Sequence, residues 1–147
     1  NVIPQQATLK LSVRALDRGV RELLRRRIVE LVEAQAQSYG VMARVEFLPG
    51  YPVLVNTAAQ TALAREVAIS LVGADNVVLQ TEPLTGSEDF AYMLEEVPGS
   101  YLFIGNGDAA NGGHGACMVH NPNYDFEDRN IPVGAAFWVQ LTERFLA

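Results

Sequence analysis

Hydrophobic and polar positions alternate with a period of two over ATLKLSVRAL, where Ala7, Leu9, Leu11, Val13 and Ala15 share one face and Thr8, Lys10, Ser12 and Arg14 the other. That pattern predicts a half-buried strand. The period then lengthens to that of a helix, with Val20, Leu23, Leu24, Ile28, Leu31, Val32 and Tyr39 on one stripe, Asp17 as its N-cap and Gly40 closing it. VMARVEF resumes the alternation with Val41, Ala43, Val45 and Phe47 inward, giving a strand, helix, strand unit whose sheet is covered on one face. LPGYPVLVN is a bridge punctuated by Pro and Gly, and a domain boundary falls near Asn56. Beyond it, Thr57 and Gln60 form a capping box for a helix through Leu63, Val67 and Leu71, ended by Gly73. VVLQ and SYLFIG read as short buried strands on either side of a helix in SEDFAYMLEEV. A last helix from Pro132 places Gly134, Trp138, Leu141 and Phe145 on one face. Alternating strands and helices make the class α/β or α+β.

Composition narrows the partners. The chain has 147 residues, 49% hydrophobic and 19% charged, enough for one sizeable core or two small ones. Its apolar runs fall far short of the roughly 18 residues that a membrane span needs, so no membrane is expected. A net charge of −6 and a pI near 4.8 argue against nucleic acid, which is bound by clustered Lys and Arg. Arg25, Arg26 and Arg27 look basic, but Glu22 lies four before Arg26 and Glu30 four after it, so they read as a solvated, salt-bridged face. The single Cys117 excludes an internal disulfide and a Cys-rich zinc module, and it reads as an inert small hydrophobe in a reducing, cytoplasmic setting. The chain opens NVIPQQATLKLSVRALD, without Met and directly into a strand, so a piece of a longer protein is expected.

Three stretches could carry chemistry. In MVHNPNYDF, His120 stands between an apolar pair and an Asn-Pro turn signal; it is either a partly buried residue bonded to nearby backbone or a ligand. In TGSEDF, Thr85 and Glu88 match a capping box, with Glu88 and Asp89 placing negative charge in a first helical turn. The functional alternative there is that Gly86 and Ser87 bring backbone donors close to an anionic substrate group. GNGDAANGGHGA follows a strand without leading into a helix and lacks phosphate-loop spacing, so it reads as an active-site loop or a plain one, with His114 solvated.

NVIP followed by a strand ending in VR, the bridge GYPVLVN, GSEDFAYMLEEVPGSYLFIGNG, CMVHNPNYDFED and the final IPVGAAFWVQLTERFL occur in that order. Together they resemble the two-metal amidohydrolases related to hippurate hydrolase and aminoacylase, over nearly the whole chain. The resemblance implies an α/β architecture in which residues 1–55 are the second half of a ferredoxin-like lid that mediates homodimerisation. Residues 56–147 would then be the C-terminal part of a zinc-exopeptidase-like catalytic domain. It implies that His120 is the last ligand of a centre of two divalent metals, zinc or manganese, and that Asn121 and Pro122 fix the turn presenting its ring. By parity alone Arg14 reads as a solvated Arg lying over its neighbours on the polar face of its strand, whereas the resemblance implies that Asn1 and Arg14 reach the substrate, often across the dimer interface, with Arg14 matching a carboxylate bidentately and the Asn1 amide donating to the oxyanion. The substrate class is an N-acyl or N-aroyl amino acid.

The departure from the family is large. The remaining metal ligands and the glutamate general base belong to segments preceding NVIP, so no catalytic residue is expected within this chain, which would be inactive alone. The family's lid also carries a His near its first strand, and neither His114 nor His120 matches that position. Two other readings stay open: a non-catalytic dimerisation or binding module derived from the lid, and a plain α/β domain without metal, favoured if His120 is buried against backbone.

Overall fold

The structure is a computed structural model that describes residues 1–107, 115 and 117–147. Among these residues are four α-helices, α1 (Arg18–Ser38), α2 (Ala58–Val72), α3 (Phe90–Glu96) and α4 (Asn130–Leu146), with a 3-10 turn at Ala74–Asn76. The stretch GNGDAANGGHGA, with His114, lies mostly outside the described residues. The chain divides into two units: Asn1–Leu54 with Glu82–Tyr92, and Val55–Thr81 with Met93–Ala147. No helix among the described residues is long and apolar enough to cross a membrane.

In the first unit, α1 is rich in Leu, Arg, Glu, Gln and Ala, residues that lose little side-chain freedom in a helix. Asp17 caps it as expected, its carboxylate accepting from the Val20 N–H at 2.8 Å. At the other end Gly40 takes φ 66°, where a Cβ would be strained, and Val41 N–H returns to the Ala36 carbonyl at 3.0 Å. The basic run is paired as a solvated face, although Glu22 meets Arg25 at 3.9 Å rather than Arg26, and Glu30 takes both Arg26 and Arg27. Arg21 clamps the bridge, donating through Nη1 to the Tyr51 carbonyl at 2.8 Å and through Nη2 to that of Gly50 at 2.9 Å. Tyr51 in turn meets Tyr92 edge-on, ring centroids 5.8 Å apart.

The expected strands are the main correction. No residue among those described is in a β-ladder, and residues 7–16, 41–47, 77–80 and 100–105 run outside regular structure. A strand exists only through a neighbour's hydrogen bonds, and no backbone hydrogen bond links residues 7–16 to 41–47 among those described. The alternation in the sequence is real, but its inward face is not covered: Leu9 is 85% exposed and Leu11 75%, while Val45 and Phe47 reach only half-burial.

In the second unit α2 packs against α4. The helix ends at Gly73 as expected, with φ 86°. The capping box does not form: the Thr57 hydroxyl lies 2.7 Å from Gln60 Oε1 and 2.9 Å from the Gly99 carbonyl instead of accepting from the helix N–H groups. A tertiary acceptor has outcompeted the local cap. The last helix starts at Asn130, two residues ahead of Pro132, which therefore sits in the first turn where its missing N–H costs nothing. Gly134 faces the 100–105 segment, where a Cβ would stand 3.4 Å from Ile104 Cδ1, an ordinary van der Waals contact, so this packing does not require the glycine. Trp138, which the pattern places on one face with Gly134, is 66% exposed.

The buried apolar residues among those described are Ala64, Val67 and Ala91.

Candidate functional site

Two separate clusters contain the residues singled out in the sequence. The first lies in the first unit. Arg14 is exposed, and its guanidinium is anchored by Nη1 donating to the Thr85 carbonyl at 2.6 Å and Nε donating to Ser12 Oγ at 3.1 Å. This brings Arg14 to the irregular TGS segment, so Arg14, Gly86 and Ser87, distant in sequence, share one place. Both anchors are neutral acceptors, and Arg14 has no carboxylate partner among the described residues. A guanidinium carries five N–H groups. With one Nη1 hydrogen and Nε engaged, the second Nη1 hydrogen and both on Nη2 remain, enough for an end-on bidentate pair with an anion.

Thr85 does not act as the expected cap. The helix of SEDFAYMLEEV begins only at Phe90, the Phe90 N–H lies 3.4 Å from Glu88 Oε1, and Ala91 N–H reaches the Glu88 carbonyl at 3.3 Å. Gly86 and Ser87 thus precede the helix in an exposed irregular segment rather than standing at its N-terminus. Asn1 is exposed, and the structure gives it no contact with Arg14.

The second cluster, in the second unit, surrounds His120. Asn121 N–H closes a turn onto the Met118 carbonyl at 3.1 Å, and His120, third in that turn, has φ 71°. That left-handed value is uncommon for a residue with a Cβ and is what the third position of a type II turn requires. A second turn follows directly: Tyr124 N–H bonds the Asn121 carbonyl at 2.9 Å and Asn123 N–H bonds Asn121 Oδ1 at 2.9 Å, with Pro122 between them. His120 is exposed, so burial against backbone does not hold its ring. Among the described residues no three His, Cys, Asp or Glu side chains converge on a point, so a two-metal centre cannot be built from them.

Sequence reasoning missed the asparagines that hold this region. Asn56 grips Tyr101 at both backbone groups, Nδ2 donating to its carbonyl at 2.9 Å and Oδ1 accepting from its N–H at 2.8 Å. Asn106 donates from Nδ2 to the Asp125 carbonyl at 2.7 Å and accepts at Oδ1 from the Glu127 N–H at 2.8 Å. Asn130 donates to the Gly105 carbonyl at 2.9 Å. A primary amide has the donor and acceptor of a peptide group, so these side chains make the bonds a neighbouring strand would make. The available signal was an Asn at each end of an apolar run, in VNT and IGNG, which reads equally well as loop composition. Glu127, nearly buried, also receives Arg129 through Nε at 2.9 Å and Nη2 at 2.7 Å. That hydrogen bond, and then the charge of Glu127, raise the Arg129 pKa. Arginine is charged throughout the physiological range either way, so this pair is no pH switch.

The profile of peptidase family M20/M25/M40 matches residues 5–144. Among curated proteins, hippurate hydrolase of Campylobacter jejuni is 31% identical over 99% of this chain and 36% of its own length. IAA-amino acid hydrolase ILR1-like 5 of Arabidopsis thaliana is 32% identical over 99% of the chain and 34% of its own length. N-acetyl-L-cysteine deacetylase of Bacillus subtilis is 32% identical over 99% of the chain and 33% of its own length. The chain thus spans about a third of the relatives it matches. No solved structure matches. The resemblance read from the five ordered blocks is borne out.

Proposed function

Because this chain belongs to peptidase family M20/M25/M40, we propose that it is the C-terminal portion of a metal-dependent amidohydrolase that releases an amino acid from its N-acyl or N-aroyl derivative. The observation carrying this is the match of residues 5–144 together with what the relatives' names share. Hippurate, an IAA-amino acid and N-acetyl-L-cysteine are each an amino acid acylated on nitrogen with a free carboxylate. In the reaction water adds across the amide, the C–N bond breaks, and the amine leaves with a proton.

On this reading each cluster has a task. Arg14 binds the substrate carboxylate with the N–H groups left over from its anchors, and the segment at Gly86 and Ser87 adds backbone donors beside it. The Asn1 amide donates to the carbonyl oxygen as negative charge develops there. His120 supplies one imidazole to a centre of two divalent ions, zinc or manganese, whose other ligands, like the general base, lie outside this chain. Residues 1–55 serve as the second half of a lid through which two copies associate, and 56–147 as the C-terminal part of an α/β catalytic domain. The exposed apolar faces of the ATLKLSVRAL and VMARVEF segments then pair within the complete protein.

The test is an assay of the complete protein for amino acid release from hippurate and N-acetyl amino acids, with and without a chelator. Chelator-sensitive release is expected. The isolated chain should show neither amidase activity nor tight stoichiometric metal, because a lone imidazole has no preorganised neighbours. Calorimetric binding of two zinc ions by the isolated chain would overturn the reading of it as a portion.

A further inference from the structure

The asparagine clamp on the far side of the His120 turns has a role that neither the family match nor the resemblance assigns. We infer that Asn106 is a positioning residue: its side-chain amide, bonded to the Asp125 carbonyl and the Glu127 N–H, sets where His120 is held. The inference rests on the proposed role of His120 as a ligand, but its geometry stands alone. The two bonded groups flank Phe126 on one edge of the chain, at 2.7 and 2.8 Å, as in a parallel ladder where one residue accepts from one side of its neighbour and donates to the other. From His120 to Asp125 the path is taken up by the turn that Asn121 and Pro122 close, which leaves little slack between ring and clamp. On the other side the clamp joins the 101–106 segment, itself docked by Asn56 at Tyr101 and by Asn130 at Gly105. One amide therefore connects the His120 turns to the part of the unit that α2 and α4 hold.

The test uses the complete protein with 13C-labelled histidine. The His120 ring signal is assigned by its loss in His120→Ala, and amide hydrogen exchange is followed at Glu127. In Asn106→Ala the ring signal should move or broaden at fixed pH while the fold is retained. Exchange at Glu127 should rise by about tenfold, the equivalent of one net hydrogen bond. Asn106→Asp keeps the acceptor for Glu127 N–H but sets a carboxylate against the Asp125 carbonyl, so the ring signal should move there too. Thr61→Ala removes bonds to the Thr57 carbonyl and Ser100 elsewhere in the unit and should leave the ring signal in place. An unmoved ring signal in folded Asn106→Ala would overturn the inference, as would an equal shift in Thr61→Ala. Loss of folding in both Asn106 variants would also overturn it, since a positioning residue is dispensable for the fold. Neither signal requires turnover, so a wild-type protein that fails to cleave N-acyl amino acids would defeat the functional reading and leave the clamp standing.

Discussion

Arg14→Lys in the complete enzyme separates recognition of a carboxylate from mere positive charge. The arginine spends one Nη1 hydrogen on the Thr85 carbonyl and Nε on Ser12, which fixes the plane of the guanidinium while leaving an end-on pair of donors. A lysine ammonium keeps the charge but concentrates its donors on one nitrogen, so it cannot hold Thr85 and present two parallel bonds at once. One hydrogen bond to a charged group is lost, worth about 1.5–3 kcal/mol. Because Arg14 is exposed, solvent screening pulls the value to the lower end, or about tenfold in kcat/KM. The assay is steady-state kinetics on an N-acyl amino acid and on the same compound with its carboxylate amidated. The tenfold loss is expected on the acid, with little change on the amide. Equal losses on both compounds would refute carboxylate recognition and return Arg14 to a structural part, holding the segment at Thr85.

Three further outcomes are expected. His120→Ala should cut kcat of the complete enzyme by more than about a hundredfold, beyond the range typical of outer-shell partners, with circular dichroism unchanged; an active variant would remove His120 from the centre. Asn56→Ala removes two hydrogen bonds to the Tyr101 backbone and should cost about 2 kcal/mol in urea unfolding, at about 1 kcal/mol per hydrogen bond; a cost below about 0.5 kcal/mol would mean that water replaces the clamp. Asp17→Ala removes the cap on Val20 N–H and should cost about 1 kcal/mol, whereas Asp17→Asn, which still offers an oxygen, should be close to neutral in the same measurement.

Much of the helical structure was legible because a helix satisfies itself within a few residues. Asp17, Gly40 and Gly73 mark the ends of α1 and α2 through bonds made within one turn, and the composition between them carries the rest. The strand-like segments were legible only as a periodicity. Alternation at Leu9, Leu11 and Val13 says that one face can be buried, but not what bonds the edges, because the partner in a ladder is set by tertiary placement. The same limit governed the cap at Thr57, whose hydroxyl turns to Gly99, 42 residues away. At the candidate site, sequence supplied His120, Arg14, Gly86 and Ser87 as residue types suited to the chemistry, and the block order supplied the family. Only the tertiary structure brought Arg14 to the carbonyl before Gly86, put His120 in a left-handed turn, and made Asn56 and Asn106 stand in for strand neighbours. The physical reason is common to all three: a side chain's donors and acceptors are written in the sequence, but whether a local or a distant group meets them is a competition decided by packing.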